Sequence, residues 1–306
     1  MERTIQAYGN LEWDKAHGKM RGMTAKNERG SRSRQGWVPN QHGAWAMVVV
    51  PYWIGALQGE DYVFLTLLVF AVWFVGYFAF FSASQYFLSK GRRGLKPTLV
   101  YTTITALLGL TAAFIRPWLL AWAVPFVPLA ALALERTVHH AGRSLVARSA
   151  TILAAGMMTL VGYACATGVQ TISNLFSNGH IDTGVATNEN ASLTGWPWVF
   201  LLSIILTTYF WLSVPYVKSL VRNRGSIPMV ALSIGTHVLA SIGVSVAVFH
   251  TWLHPINAFI WWIFLAGKSA FAPWYSAHTG KRIRPKVIGY SEVGIFILVI
   301  IALLVS

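Results

Sequence analysis

Residues 62–94 read YVFLTLLVFAVWFVGYFAFFSASQYFLSKGRRG. No residue from Tyr62 to Leu88 is charged, and Lys90, Arg92 and Arg93 then follow within a few positions. A helix needs about 20 predominantly apolar residues to cross a hydrocarbon core about 30 Å thick, and a charge inside that core is costly. This stretch is long enough to span a bilayer, and its cations mark the end that stays in water.

The same alternation organises the whole chain. Of the 24 Lys and Arg residues, 22 lie in five short segments separated by apolar runs. The first is the N-terminal tail with Arg3, Lys15, Lys19, Arg21, Lys26, Arg29, Arg32 and Arg34. Lys90, Arg92, Arg93 and Lys96 form the second, and Arg136, Arg143 and Arg148 the third. The fourth holds Lys218, Arg222 and Arg224, and the fifth Lys281, Arg282, Arg284 and Lys286. Nine apolar runs lie between and around these segments, at 42–57, 62–88, 98–115, 118–134, 149–169, 196–216, 227–249, 255–274 and 287–305.

These runs predict an all-α, polytopic transmembrane bundle of about nine spans. Cytoplasmic loops carry the excess of Lys and Arg, so the five basic segments place the N-terminus in the cytoplasm and the C-terminus outside. The long segment 170–195 carries Asp182 and Glu189 with no Lys or Arg, as an outer loop should. Arg116 is the one cation placed outside, and Lys268 falls within a span. Residues 1–35 are polar, basic and without apolar periodicity, which predicts a disordered cytoplasmic tail ahead of a transmembrane domain at 36–306. No cleavable signal peptide is expected, because the first apolar run is not followed by a small-residue cleavage pattern.

Two of the runs contain helix-disturbing prolines. Run 42–57 is short and carries Pro51, so it needs Trp37, Val38 and the Gln41 region at the headgroups or a local kink. Run 118–134 holds Pro125 and Pro128, whose missing backbone donors a neighbouring group must offset.

Composition removes several classes of function. With 55% hydrophobic and 11% charged residues the chain is too apolar for an ordinary soluble domain. A net charge of +14 could suggest nucleic acid, but the cations sit at the ends of apolar spans rather than along a soluble element with interleaved aromatics, so no nucleic acid partner is expected. The expected partners are membrane lipids and an unknown small anionic ligand. The single cysteine, Cys165, lies in an apolar run and builds neither a disulfide nor a thiolate metal site.

The candidate chemistry is sparse. Gln41 and His42 open the first span, Gly43 permits a close backbone approach and Trp45 can anchor at the interface or stack on a ligand. His237 is about 13 Å deep in its span, near the bilayer midplane, where an ionisable group usually faces the bundle interior. Lys268 either snorkels to the cytoplasmic end of its span or is a buried cation that needs an anion. Glu292, near the start of the last span, is the candidate anion, with Lys268, Arg284 or His42 as possible partners; the helix dipole also favours a carboxylate there. Glu135 begins ERTVHH, but His139 and His140 are adjacent and point apart, so no metal site is expected. Arg92, Arg93, Arg222 and Arg284 are candidates for contact with an anion or headgroup.

The segment 41–47, QHGAWAM, ahead of an apolar run with an early proline, resembles the opening signature of the YwiC-like integral membrane proteins of bacteria. The likeness continues more loosely in VKSLVRNRG at 217–225 and RPKVIGYSEVG at 284–294. It implies a multi-pass protein of the bacterial cytoplasmic membrane and no particular reaction.

Three functions fit these residues. The first is binding or transport of a small anionic solute or lipid headgroup through a cytoplasm-facing polar pocket built from Gln41, His42, Trp45, His237, Lys268 and Glu292. The second is a membrane-embedded lipid-modifying enzyme. Nine spans with polar turns after the second and sixth are similar to UbiA-type prenyltransferases, a likeness of fold alone. Those enzymes hold magnesium through aspartates in the corresponding turns, where this chain has Lys90, Arg92, Arg93, Lys218, Arg222 and Arg224, so no such cofactor is expected. The third is a non-catalytic accessory subunit. The turns YFLSKGRRG at 86–94 and YVKSLVRNRG at 216–225 also look alike, which would fit an internal repeat or simply two cytoplasmic helix ends.

Overall fold

The computed structural model describes residues 36–39, 44–59, 62–142, 144–168 and 193–306. Among them the architecture is helical throughout, as the apolar runs predict. The helices are α1 (Ala44–Ala56), α2 (Val63–Leu88), α3 (Leu95–Ile115), a 3₁₀ segment (Pro117–Trp122) continuing into α4 (Ala123–Val138), and α5 (Leu145–Thr167). After them come α6 (Gly195–Val221), α7 (Ile227–Phe249), α8 (Ile256–Ile260), a π-helical segment (Trp261–Ala266), α9 (Gly267–His278) and α10 (Pro285–Leu304).

Seven helices among the described residues are long and apolar enough to cross a membrane: α2, α3, the 3₁₀ segment with α4, α5, α6, α7 and α10. The other two predicted runs form helix in a different way. α1 has only 13 residues, with Pro51 inside it. The run at 255–274 is helical from Ile256 to His278, but its middle is a π-helix between two α-helical pieces.

The described residues group into two compact units, one drawn from Met1–His42 and Val75–Ala106, the other from Gly43–Phe74 and Leu107–Ser306. In the first unit the turn at 36–39 is tied to α3, since Tyr101 donates its hydroxyl proton to the Trp37 carbonyl at 2.9 Å and the two rings meet edge to face. Arg92 and Arg93 belong to this unit and are exposed in the turn between α2 and α3. Lys90, Gly91 and Gly94 all have positive φ there, whereas the turn at 216–225 uses positive φ at Gly225 alone, so the two similar sequences fold differently.

The second unit is organised around α5 and α6, whose apolar windows are each 56% buried. Lipid tails are as apolar as leucine, so helices in a membrane gain contact mainly by close packing of small residues and by hydrogen bonds between helices. Both are present. α1 and α5 meet backbone to backbone: a Cβ at Gly55 would overlap the Thr159 carbonyl, and one at Gly162 would overlap the Tyr52 carbonyl and lie 3.0 Å from the Ala56 nitrogen. Between α5 and α6 the contact at Gly156 is with a side chain, where a Cβ would overlap the Thr207 hydroxyl. Ser203 donates to the Gly156 carbonyl at 2.9 Å, and the Trp211 indole donates to Ser149 at 2.9 Å.

α1 is short for a span but is held on several sides. Tyr52 is fully buried and donates to the Thr66 carbonyl at 2.6 Å. The Trp73 indole donates to the Val48 carbonyl at 2.8 Å, next to the Met47 carbonyl that Pro51 leaves without its helical donor. α8 is fastened to the end of α10 by Asn257, also fully buried, whose amide lies 2.7 Å from the Ser306 hydroxyl and 3.0 Å from the Ala302 carbonyl. Asn257→Ala is expected to destabilise the protein by about 1–2 kcal/mol, because buried polar groups lose their partners. Reversible unfolding in mixed micelles measures this, and a change under about 0.3 kcal/mol would count against the clasp.

Candidate functional site

Four helices of the second unit bring their polar side chains together. α9 contributes Lys268, α10 Glu292, α6 Tyr209 and Tyr216, and α7 His237 with Ser233. Lys268 Nζ donates to Glu292 Oε1 at 2.5 Å, and the two side chains are only 12% and 15% exposed. Glu292, for which the sequence leaves Lys268, Arg284 and His42 open as partners, is paired among the described residues with Lys268.

The position of Lys268 follows from the length of its helix. The apolar run ends near Trp274, which suggests a lysine close enough to the end to snorkel. α9 instead continues to His278, so Lys268 lies about ten residues, or about 15 Å, from the end of the helix. Glu292 is about 10 Å into α10, which starts at Pro285. A charge at that depth needs a partner, and each of these two supplies the other's.

Tyrosine rings surround the ammonium. Nζ lies 4.9 Å from the centre of the Tyr216 ring and 5.7 Å from that of Tyr209. Both are within the range over which a ring face attracts a cation. Tyr209 also donates its hydroxyl proton to the Glu292 backbone carbonyl at 2.7 Å, fixing α6 against α10. Its ring packs 5.0 Å from that of Phe296, which closes this side with apolar groups.

His237 joins the cluster through Tyr216, with the two rings at 6.1 Å in an edge-on arrangement. It is fully buried, and its Nδ1 lies 2.7 Å from the Ser233 carbonyl. A carbonyl can only accept, so Nδ1 carries the proton and Nε2 of the neutral ring is a bare acceptor. Among the described residues His237 Nε2, Glu292 Oε2 and Ser233 Oγ are buried without a hydrogen-bond partner. Buried polar atoms are rarely left in this state, and three in one neighbourhood are unusual.

Just before Lys268 the chain runs through the π-helical segment Trp261–Ala266. Single π-turns inside α-helices recur at functional sites, because the widened turn re-aims the side chains that follow. Ser241 of α7 braces this one, with its hydroxyl 3.1 Å from the Trp261 carbonyl and 2.9 Å from the His237 carbonyl. An open groove of about 200 Å³ is lined by Trp261 with residues such as Leu201, Thr208, Gly243 and Leu253. It is almost wholly apolar and includes none of Lys268, Glu292 and His237, so it is not the polar site.

The remaining candidates lie elsewhere. Gln41 and His42 fall outside the described residues. Trp45 stands at the start of α1, half-buried, with its ring 5.8 Å from Phe74. Arg222 and Arg284 are exposed at the ends of α6 and α10. Arg224 has a structural task, donating to the Gly280 carbonyl at 3.0 Å beyond the end of α9. Glu135 is engaged at the surface by Arg136 at 3.2 Å and His139 at 3.7 Å, far more exposed than Glu292.

Tyr209 and Tyr216 escaped the sequence reading, although a signal was present: seven residues apart on one helix, they share a face. Nothing in the sequence marked that face as the one turned towards Lys268.

The sequence model for YwiC-like proteins matches residues 38–163. The chain is also 25% identical over 203 residues to the uncharacterized protein YwiC of Bacillus subtilis (strain 168), covering 66% of this chain and 74% of that protein. No solved structure matches. The matched segment includes QHGAWAM and the α1–α5 contact, whereas His237, Lys268 and Glu292 lie beyond it. Over residues 38–163, this multi-pass membrane protein is similar to the YwiC-like proteins.

Proposed function

We propose that this protein, in the bacterial cytoplasmic membrane, binds and transports a small solute bearing an anionic group, a class that includes lipid headgroups, with Lys268 as the counter-charge. The observation that carries this reading is the Lys268–Glu292 pair, held inside an apolar bundle by tyrosine faces. A buried ion pair adds little net stability compared with apolar residues of similar volume, so stability alone is a weak reason for placing one there. An internal carboxylate does supply a counter-ion while the solute site is empty, and a solute's anionic group can take its place at Lys268 when Glu292 gains a proton or a new partner. Exposed Arg222 and Arg284 would attract anions or headgroups to the cytoplasmic rim of their unit.

A screen of anionic solutes against the purified full chain tests the reading by thermal unfolding. At least one solute should raise the melting temperature of the wild type and leave that of Lys268→Met unchanged. Equal stabilisation of both proteins would overturn it. Access from the cytoplasm further requires the orientation set by the basic loops. A C-terminal fusion to alkaline phosphatase, which is active only outside the cytoplasm, should therefore be active, and a fusion to green fluorescent protein dark. The reverse pattern would refute nine spans with the N-terminus inside.

A further inference from the structure

We propose that the solute taken by this site is a small zwitterion, carrying one ammonium and one carboxylate or phosphate a few bonds apart. The proposal rests on the reading of Lys268 as the solute's counter-charge and adds what else the solute must bring.

Charge balance is the first reason. Lys268 and Glu292 together sum to zero in an apolar surrounding, and Glu292 is the one acidic residue of the bundle interior among the described residues. A solute with only an anionic group pairs with Lys268 and leaves Glu292 as a buried carboxylate without a partner. A solute with only an ammonium does the converse. Stranding one member of a buried pair is strongly unfavourable. A zwitterion inserted between them turns one ion pair into two, and no charge is left alone.

The hydrogen-bond inventory gives an independent second reason. Glu292 Oε2 and His237 Nε2 are both acceptors, both buried and both without a donor among the described residues. Nδ1 of His237 is already committed to the Ser233 carbonyl, so the ring does not turn its N–H towards the solute without losing that bond. Lys268 has three N–H groups and directs one to Glu292 Oε1. The site therefore has one cation and the Ser233 hydroxyl to offer an anionic group, and two acceptors that ask for a donor. An ammonium brings three N–H bonds, which match those acceptors.

The third reason is aromatic. The Tyr216 and Tyr209 faces already hold one ammonium, that of Lys268, at 4.9 and 5.7 Å. A second primary ammonium beside Glu292 meets the same kind of surface. Tyr216 touches both His237 and Lys268, so the acceptors and the cation belong to one continuous cluster. The titratable groups facing it are Tyr209 and Tyr216 from α6, His237 from α7, Lys268 from α9 and Glu292 from α10.

The same chemistry occurs in a free amino-acid-like solute and in an aminophospholipid headgroup. Four probes separate these cases: L-alanine, propionate, ethylamine and glycerophosphoethanolamine, a phosphodiester with one negative charge. Propionate and ethylamine are alanine without its ammonium and without its carboxylate. Calorimetric titration of the full chain in detergent should show L-alanine or glycerophosphoethanolamine binding at least about tenfold more tightly than either single-charge fragment, a difference of about 1.4 kcal/mol. Preference for alanine indicates a free solute. Preference for glycerophosphoethanolamine indicates a headgroup, and co-purified lipid should then be enriched in phosphatidylethanolamine over phosphatidylglycerol. His237→Gln should weaken the zwitterion more than propionate. Propionate binding as tightly as the zwitterions, in a Lys268-dependent way, would overturn this inference and leave the anionic reading intact. Tight binding of ethylamine alone would overturn both, and binding of none of the four would overturn this inference.

Discussion

Gly162→Val should leave little folded protein. The glycine sits where α5 crosses α1, and even the first added carbon would overlap the Tyr52 carbonyl and lie 3.0 Å from the Ala56 nitrogen. Those atoms are backbone and cannot swing away, so α1 must separate from α5. Separation exposes Tyr52 and loosens its bond to the Thr66 carbonyl. Overpacking a tight core costs about 1–3 kcal/mol, and a clash with backbone on both sides belongs at or above the top of that range. The cost is a large part of a total stability of about 5–15 kcal/mol. The measurement is the yield of monodisperse protein after extraction, with the unfolding midpoint of whatever survives. Gly235→Ala is the matched control: nothing lies within 4 Å of a Cβ there, and it should be neutral or mildly stabilising. If both variants behave like the wild type, the close α1–α5 crossing is wrong.

The second large effect concerns the ion pair. Lys268→Met and Glu292→Gln are each expected to cost about 3–5 kcal/mol, because each leaves its partner charged and buried or forces it to neutralise. The double variant Lys268→Met/Glu292→Gln should be more stable than either single one and recover most of the loss, since no uncompensated charge remains. Unfolding of all four proteins in mixed micelles gives the coupling directly. Single variants within about 0.5 kcal/mol of wild type would show that the pair is open to water, where such pairs contribute little. The double variant also separates stability from function: it should fold, yet respond to no anionic solute.

Much of the architecture was legible in the chain. The 28 uncharged residues between Asp61 and Lys90 admit no reading but a membrane helix, and eight further runs repeat the pattern with basic ends. Both Pro51 and Pro128 lie inside helices. Hydropathy counts residues along one strand of sequence, so it registered the run at 255–274 as an ordinary span. A π-turn has no composition of its own, because it results from how Ser241 and the neighbouring helices hold the Trp261 carbonyl.

The site was legible as ingredients only. Lys268 and Glu292 stood out because charges are scarce in apolar runs, and His237 stood out by its depth. Glu292 had three possible partners on sequence grounds, separated from it by up to about 250 residues, and spacing along the chain does not rank contacts between helices. The crossing of α9 and α10 chose Lys268. The rotation of α6 turned Tyr209 and Tyr216 towards the ammonium. Position along each helix, set by the 1.5 Å rise, is a property of the sequence. Rotation about each helix axis is not, when every face is apolar and lipid and protein are equally good neighbours. Here Gly55 and Gly162 set that rotation for α1 and α5 by permitting backbone contact on one face, and Gly156 admits the Thr207 side chain of α6. The sequence by itself therefore determined that this chain enters the membrane and which polar residues it carries there; the tertiary structure alone decided that one lysine, one glutamate, one histidine and two tyrosines meet.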